Sequence, residues 1–299
     1  MMSIQSYLLS QYLKKRMKRP PIYDEARQVR GMRAAMGNKR LIPKRLPNDV
    51  KINDFESNGI SGEWVECNQA KAGKVLIYFH SGGYLSGSPQ TYRRLTSQIA
   101  RITRTRVLVV DYRLAPENRF PAAVEDGLKT YRYALGQVKD SQDITIAGDS
   151  AGGGLTVATL LTSREAGLPM PKAAICFSPY VDLAATGASL VTNDKNCVMF
   201  HGESVRLGTR IYLGDADPRN PLASPIYADL RGLPPLLIFV STSEIFYDDS
   251  IRLAEKAEAD GVKVDLNIWK NQPHAWIYFT FLPESKKALK FAAKFIENA

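Results

Sequence analysis

The 299-residue chain is 44% hydrophobic with three cysteines: enough apolar sequence for one large core, and too few, too scattered thiols for a disulfide framework or a zinc site. Its net charge of +10 resides in residues 1–45, which hold 12 Lys/Arg against only Asp24 and Glu25, so the rest of the chain is neutral. No apolar run approaches the ~20 residues of a spanning helix; no secretory-leader pattern opens the chain, and no nucleic-acid motif accompanies the basic segment.

The expected setting is therefore a reducing cytoplasm, with no nucleic acid as partner. A basic amphipathic leader still admits a membrane surface as a contact, against the plainer reading of a helical flap with a solvated charged face.

In chain order, Ile4, Tyr7, Leu8 and Tyr12 recur at helical spacing before the basic run Lys14 to Arg19, and Pro20-Pro21 breaks the helix. A second helix is predicted from about Tyr23 to Met36. Its stripe Ile22, Ala26, Val29, Met32, Met36 calls for an apolar surface, and Gly37-Asn38 ends it. Two helices joined by a proline break, ahead of any sheet, suggest a lid. Strand-like runs Val50 to Glu56 and Glu63 to Asn68 then flank Asn58-Gly59, a hairpin signal, so the sheet should begin antiparallel.

Buried strands follow at Lys74 to His80 and Arg106 to Val110, with a helix at Tyr92 to Thr103 between them. The alternation continues with a helix at Ala122 to Leu135, a strand at Asp143 to Ala147 and the helix after Ser150. Strands at Ala173 to Phe177 and Leu236 to Ser241, a helix at Asp248 to Asp260, a strand at Lys263 to Trp269 and a helix at Ser285 to Ile296 close the chain. Continuous apolar strands alternating with helices predict an α/β fold with a parallel sheet covered on both faces. Between Asp182 and Tyr227 the period is lost, and this insertion is the expected second piece of the lid. The domain reading is a lid segment over residues 1–45 and a main α/β domain over 46–299, with the insertion at about 182–227.

The chemistry centres on Gly148-Asp149-Ser150-Ala151-Gly152, a strand-to-helix turn with a serine at its apex. Flanking glycines allow the tight turn and leave the hydroxyl uncrowded at the N-terminus of the next helix. A serine hydroxyl needs an imidazole to take its proton and a carboxylate to orient that imidazole. Of the three histidines, His80 ends a strand, His201 lies in the insertion, and His274 follows the last strand, downstream of the serine. His274 is the expected base. For the acid, Glu244 comes first after the Leu236 to Ser241 strand and is favoured over Asp248; Asp248 and Asp249 open the next helix, where negative charge is stabilising anyway. In His80-Ser81-Gly82-Gly83-Tyr84, the N–H groups of Gly82 and Gly83 can converge with that of Ala151 on one oxyanion, each such donor contributing about 2.7–4 kcal/mol in a dry site. His80 and Ser81 would support that loop.

The chain resembles the hormone-sensitive lipase family of α/β hydrolases, the bacterial family IV esterases. The resemblance rests on His80-Ser81-Gly82-Gly83, Asp111-Tyr112-Arg113-Leu114-Ala115-Pro116-Glu117, Phe120-Pro121-Ala122-Ala123, Gly148 to Gly153, Ser178-Pro179-Tyr180, Ala223-Ser224-Pro225 and Leu233-Pro234-Pro235. It covers the chain from about Lys74 onward; the first ~45 residues match the family's cap in position and character. It implies the α/β-hydrolase fold, a mostly parallel eight-stranded sheet with an antiparallel start and a helical cap. Two departures stand out. The family has glycine where Ser81 stands, so a positive φ there would cost about 1–3 kcal/mol. Its acid is commonly aspartate in Gly-x-x-Asp-Pro-Leu, whereas this chain has Ser241-Thr242-Ser243-Glu244, as in a glutamate-bearing branch.

The function implied is a serine carboxylesterase for short, apolar esters. Ser150 is its nucleophile, His274 its base, Glu244 its acid, and Gly82, Gly83 and Ala151 its oxyanion donors. No cofactor and no metal is implied, and related enzymes pair through the edge of the last strand, which makes a homodimer an expectation. A lactone hydrolase or deacetylase of a small metabolite would use the same residues. A membrane-surface lipase and a non-catalytic small-molecule receptor are the readings from other classes.

Overall fold

The computed structural model describes residues 2–299. Helices α1 (Ile4–Arg16) and α2 (Glu25–Met36) precede an antiparallel hairpin of β1 (Val50–Ser57) and β2 (Ile60–Cys67). Its two-residue turn puts Asn58 at φ 50° and Gly59 at φ 75°, the left-handed pair that a tight hairpin needs, and all eight residues of each strand pair from Val50↔Cys67 to Ser57↔Ile60. Then come β3 (Val75–Phe79), α3 (Pro89–Thr103), β4 (Arg106–Val110), α4 (Ala122–Leu135), β5 (Ile144–Asp149) and α5 (Ala151–Glu165). The remainder runs β6 (Ala173–Phe177), α6 (Ser189–Thr192), α7 (Gly202–Leu213), β7 (Leu236–Ser241), α8 (Tyr247–Ala259), β8 (Val264–Trp269) and α9 (Pro283–Asn298).

The eight strands form one sheet in the order β1-β2-β4-β3-β5-β6-β7-β8, antiparallel over its first three members and parallel from β4 to β8. Its interior strands are continuously apolar because both faces are covered. Val75, Ile77 and Phe79 of β3 join the core under α4, α5 and α8, while Leu76 and Tyr78 join the core under α3 and α9. The chain leaves β3 toward β4 on one side and returns through β5 on the other, so the order reverses between β3 and β5. Loops leaving the carboxyl ends of two such strands open a crevice between them. The loop after β3 is His80 to Tyr84, and the turn after β5 is Ser150.

The first helix departs from expectation. Ile4, Tyr7, Leu8 and Tyr12 lie on the outward face of α1 and are exposed, while Ser6, Ser10 and Leu13 face inward. Polar anchoring sets that orientation: the Ser3 backbone N–H and hydroxyl donate to the buried Glu284 at 2.6 and 2.9 Å, and Ser6 Oγ donates to Gln272 Oε1 at 2.7 Å. Apolar spacing gives the helix but not which side packs when hydrogen bonds hold it down. The second helix follows its stripe more closely: Val29 is buried and Met32 packs against the core, whereas Ala26 is exposed. Arg33 fastens α2, donating to both carboxylate oxygens of Glu117 at 2.8 and 2.6 Å and to the carbonyls of Leu85 and Ala115 at 3.0 and 3.1 Å. Cys67, Cys176 and Cys197 are buried free thiols, and no described helix is long and apolar enough to cross a membrane.

Candidate active site

Ser150 sits at φ 55°, ψ −119°, outside the regions an L-residue prefers, at a cost of about 1–3 kcal/mol. Two glycines make the turn possible. A Cβ on Gly148 would meet the Gly152 carbonyl oxygen at 2.3 Å, and one on Gly152 would meet that of Phe79 at 2.0 Å, so strand, turn and helix pack backbone against backbone here. The Ser150 N–H donates to the Phe177 carbonyl at 2.9 Å, which ties the turn to the end of β6.

Beside it, Gly82 and Gly83 have φ of 130° and 62°. A Cβ on Gly82 would lie 1.9 Å from the Ser86 carbonyl oxygen, so that residue is fixed as glycine by space as well as by φ. The N–H groups of Gly82, Gly83 and Ala151 donate to no acceptor among the described residues. They are three free donors at one end of the sheet.

Ser81 is not strained: the positive φ values fall on Gly82, Gly83 and Tyr84, so the cost attached to a serine at that position does not arise. Its N–H donates to Tyr92 Oη at 3.1 Å, and its side chain lines the pocket. Tyr92 Oη in turn donates to Asp149 Oδ2 at 2.8 Å, and Tyr78 Oη donates to Asp149 Oδ1 at 2.8 Å. Burial raises the Asp149 carboxyl to about 6 despite both donors, which oppose the shift. Asp149 thus joins the His80 to Tyr84 loop to the Ser150 turn through one buried network.

His80 is wholly buried, with its ring stacked on Tyr112 at 4.3 Å and Nδ1 at 2.8 Å from the Ser81 carbonyl. Desolvation lowers it to about 4, so it is neutral at physiological pH. Tyr112 Oη also donates to the His80 carbonyl at 2.8 Å, and Arg113 holds Asp126 from two atoms. The Asp111 to Glu117 motif therefore buttresses the loop from behind.

His274 and Glu244 are brought together. Nδ1 of His274 lies 2.5 Å from Glu244 Oε2, both side chains being buried. The other carboxylate oxygen, Oε1, accepts from Ser178 Oγ and the Ser241 N–H, each at 2.8 Å. Because the carboxylate takes the proton-bearing Nδ1, the second ring nitrogen, Nε2, is the one left for another proton. It is buried and makes no hydrogen bond among the described residues; none joins it to Ser150 Oγ in this structure. The two loops share an anchor, however, since Ser178 Oγ also accepts from the Ala275 N–H at 3.3 Å and Ser178 follows the Phe177 that holds Ser150. Phe246 and Phe200 flank the imidazole, with ring centroids 5.0 and 5.5 Å away.

Asp248 and Asp249 are used elsewhere. Asp248 Oδ2 accepts from the Ser189 N–H at 2.8 Å, and Asp249 Oδ2 accepts from the N–H groups of Val181 and Asp182, each at 2.9 Å. Both carboxyls hold the 182–227 insertion to α8, a tertiary duty beyond the helix-terminus stabilisation expected of them. His201 pairs with Asp194 at 3.0 Å, outside the site.

Above the serine lies a cavity of about 290 Å³. Its floor is Ser150, Ser81, Gly82 and Gly83; Ile22, Gln28, Met32 and Met36 come from the N-terminal segment, and Met199, Phe200 and Val205 from the insertion. The pocket residues not anticipated from sequence come both from α7 and its approach and from the basic run around Arg16 to Pro20, where no periodicity marked an inward face.

Residues 76–278 match the profile of an α/β-hydrolase-fold family. A solved esterase of the bacterial hormone-sensitive lipase family superposes with a TM-score of 0.91 at 39% identity, covering 100% of this chain and 99% of that one. The chain belongs to this family of α/β hydrolases. Among its relatives, an acetyl-hydrolase of Streptomyces hygroscopicus is 39% identical to the hydrolase over 274 residues, covering 88% of this chain and 91% of the relative. The crystal structure of EstE5, an enzyme soaked with p-nitrophenyl butyrate, superposes with a TM-score of 0.91 at 38% identity, covering 99% of the hydrolase and 98% of that chain.

The sequence did not single out Ser178 as a partner of Glu244, nor Asn193, whose Nδ2 donates to the carbonyls of Thr242 and Glu244 at 3.1 and 2.9 Å. Ser178 stood in a family motif with no role attached. Asn193 carried no signal, because its contact joins the insertion to a loop 49 residues away.

Proposed function

We propose that the protein is a serine carboxylesterase that works through an acyl-enzyme on Ser150. His274 Nε2 takes the Ser150 proton as Oγ attacks the ester carbonyl. The carbonyl oxygen becomes an oxyanion and receives the N–H groups of Gly82, Gly83 and Ala151. Glu244 keeps the imidazole in the tautomer with Nδ1–H and stabilises the imidazolium that forms. Collapse expels the alcohol with the proton from Nε2, leaving Ser150 acylated; water, deprotonated by the same nitrogen, then attacks and releases the acid.

The observation that carries this reading is the Glu244–His274 pair at 2.5 Å with Nε2 left over, at the end of the sheet where the unpartnered N–H groups of Gly82, Gly83 and Ala151 lie near a strained serine. The same residues would open a lactone or remove an acetyl group, and likeness to the acetyl-hydrolase of Streptomyces hygroscopicus supports acetyl esters as a substrate class.

We read residues 1–45 and 182–227 as two halves of one lid, since both contribute walls to the cavity. A closed apolar pocket of this size favours acyl groups of about two to six carbons, each buried methylene contributing ~0.8 kcal/mol until the wall is reached. A graded series of p-nitrophenyl esters from acetate to palmitate, with small lactones alongside, tests it: activity rises, peaks at short chains and falls. Sustained activity on long-chain emulsions overturns the short-chain reading.

That outcome has a structural motive, because the exposed Ile4, Tyr7, Leu8 and Tyr12 share α1 with Lys14, Lys15 and Arg16, a composition suited to a lipid surface. The outer edge of β8, last in the sheet, supports the pairing of two copies.

A further inference from the structure

Among the residues lining the cavity above Ser150, two carry a full charge, and both are arginines: Arg16 and Arg19. No carboxylate faces them there, and no ion pair engages either one among the described residues. Their neighbours in the basic segment behave otherwise. Lys18, between them, is tied to Asp194 of the insertion through both its carboxylate and its carbonyl, and Arg33 is neutralised by Glu117. The Lys18 contact fixes the backbone of residues 16–19 against the insertion, and Arg19 Nε donates to the Arg16 carbonyl at 3.3 Å. Two arginines, Arg16 and Arg19, thereby lie in the lining of a chamber that has no acidic lining residue.

We infer that the hydrolase takes esters bearing a second, anionic group, a carboxylate or phosphate remote from the scissile bond, and that Arg16 and Arg19 bind that group while the apolar walls hold the chain between. This rests on the reading of Ser150 as the nucleophile of an esterase. A guanidinium offers paired N–H donors that match the two oxygens of a carboxylate or phosphate, and an unpaired pair of them creates a positive field over the pocket mouth. The distribution of charge in the whole chain points the same way: the surplus of +10 lies entirely in the segment that supplies these arginines.

The test compares esters matched in length but not in charge. Monoethyl glutarate against ethyl valerate places the carboxylate on the acyl side; 3-butyryloxypropanoate against propyl butyrate places it on the alcohol side. In the wild type, kcat/KM for the anionic member of at least one pair exceeds that for the neutral member, and the ratio falls with added salt. In Arg16→Gln/Arg19→Gln the ratio drops about tenfold, mainly through KM. Both side chains are exposed, so the variant folds; a thermal melt verifies this.

Calorimetric titration of Ser150→Ala with the same anionic esters, with and without the two arginine substitutions, reads binding independently of turnover. Arginine-dependent binding there supports the inference even if none of the four esters is hydrolysed, an outcome that would remove the esterase reading alone. Hydrolysis of neutral esters with an anionic-to-neutral ratio that the arginine substitutions leave unchanged overturns the inference and spares the esterase. Arginine-dependent uptake by anionic phosphatidylserine vesicles, with that ratio unmoved, also overturns it and assigns the arginines to a lipid surface.

Discussion

Three side chains from three different loops carry the proposed chemistry, and each is singled out by a different kind of argument. Ser150 is singled out by its flanking glycines only together with the strand before it and the helix after it, since the five-residue pattern alone is common. His274 followed by elimination among three histidines. Glu244 was the harder choice against Asp248, and the contacts separate the two: Glu244 reaches the imidazole at 2.5 Å, whereas Asp248 accepts from the Ser189 N–H. Glu244→Gln is expected to lower kcat by about 10³–10⁴-fold through a misoriented imidazole, and Asp248→Asn by no more than about threefold. Steady-state kinetics of the two variants checks this, and reversed effects would make Asp248 the acid. Ser178 was not legible as the acid's second support, since hydrogen bonds between distant loops leave no local pattern. Removing it by Ser178→Ala strips one donor from Glu244 and one acceptor from the Ala275 N–H, so kcat should fall about five- to tenfold, the worth of roughly 1–1.5 kcal/mol.

Elements were read best where burial is two-sided. The β4, β6 and β7 bounds and those of α4 agree with expectation to the residue, because continuous apolar runs and a helix bounded by Pro121 and Gly136 leave little freedom. Failure came at α1, where hydrogen bonds to Glu284 and Gln272 turn the apolar row outward. The loop after β3 lies between these cases: its glycines were visible, but which of its residues takes positive φ was not. That distinction yields a prediction. Gly82→Ala places a Cβ 1.9 Å from a carbonyl at φ 130°, so the loop must rearrange, and activity should fall by at least about 10²-fold with a loss of one oxyanion donor. Ser81→Gly has no strain to relieve and should lower stability by only about 0.4–1 kcal/mol through added unfolded-state entropy, a small fall in melting temperature. A melt of each variant beside its kcat separates loop geometry from global stability.

At the scale of the whole molecule, the insertion is held to the hydrolase body by carboxyl groups, and that attachment titrates. Asp249 is buried, its Oδ1 has no partner among the described residues, and burial raises it to about 8 against the pull of two N–H donors. An unfolded aspartate ionises near 3.9, so between about pH 4 and 8 the folded state holds a proton that the unfolded state has lost. Stability from this group is therefore complete below pH 4 and declines as pH rises toward 8. Asp249→Asn keeps an oxygen for Val181 and Asp182 and cannot ionise; its melting temperature should fall less between pH 5 and 8 than that of the wild type. Parallel curves for the two proteins would show that Asp249 ionises normally. The fold that carries all this was legible from alternation and motifs; the proposed lid showed in the sequence only as two stretches lacking sheet periodicity, since the cavity walls come from side chains whose directions depend on tertiary contacts.

The central claim is that Ser150 carries the acyl group, and Ser150→Ala tests it most directly. Mixed rapidly with p-nitrophenyl butyrate, the wild type should release nitrophenol with an acyl adduct on the peptide containing Ser150, seen by mass spectrometry of the quenched enzyme. Ser150→Ala should show no adduct and a kcat reduced by about 10⁴-fold or more, with an unchanged melting temperature, because its hydroxyl makes no hydrogen bond among the described residues. Turnover by Ser150→Ala within about tenfold of the wild type, or an adduct on another residue in either protein, would contradict the account.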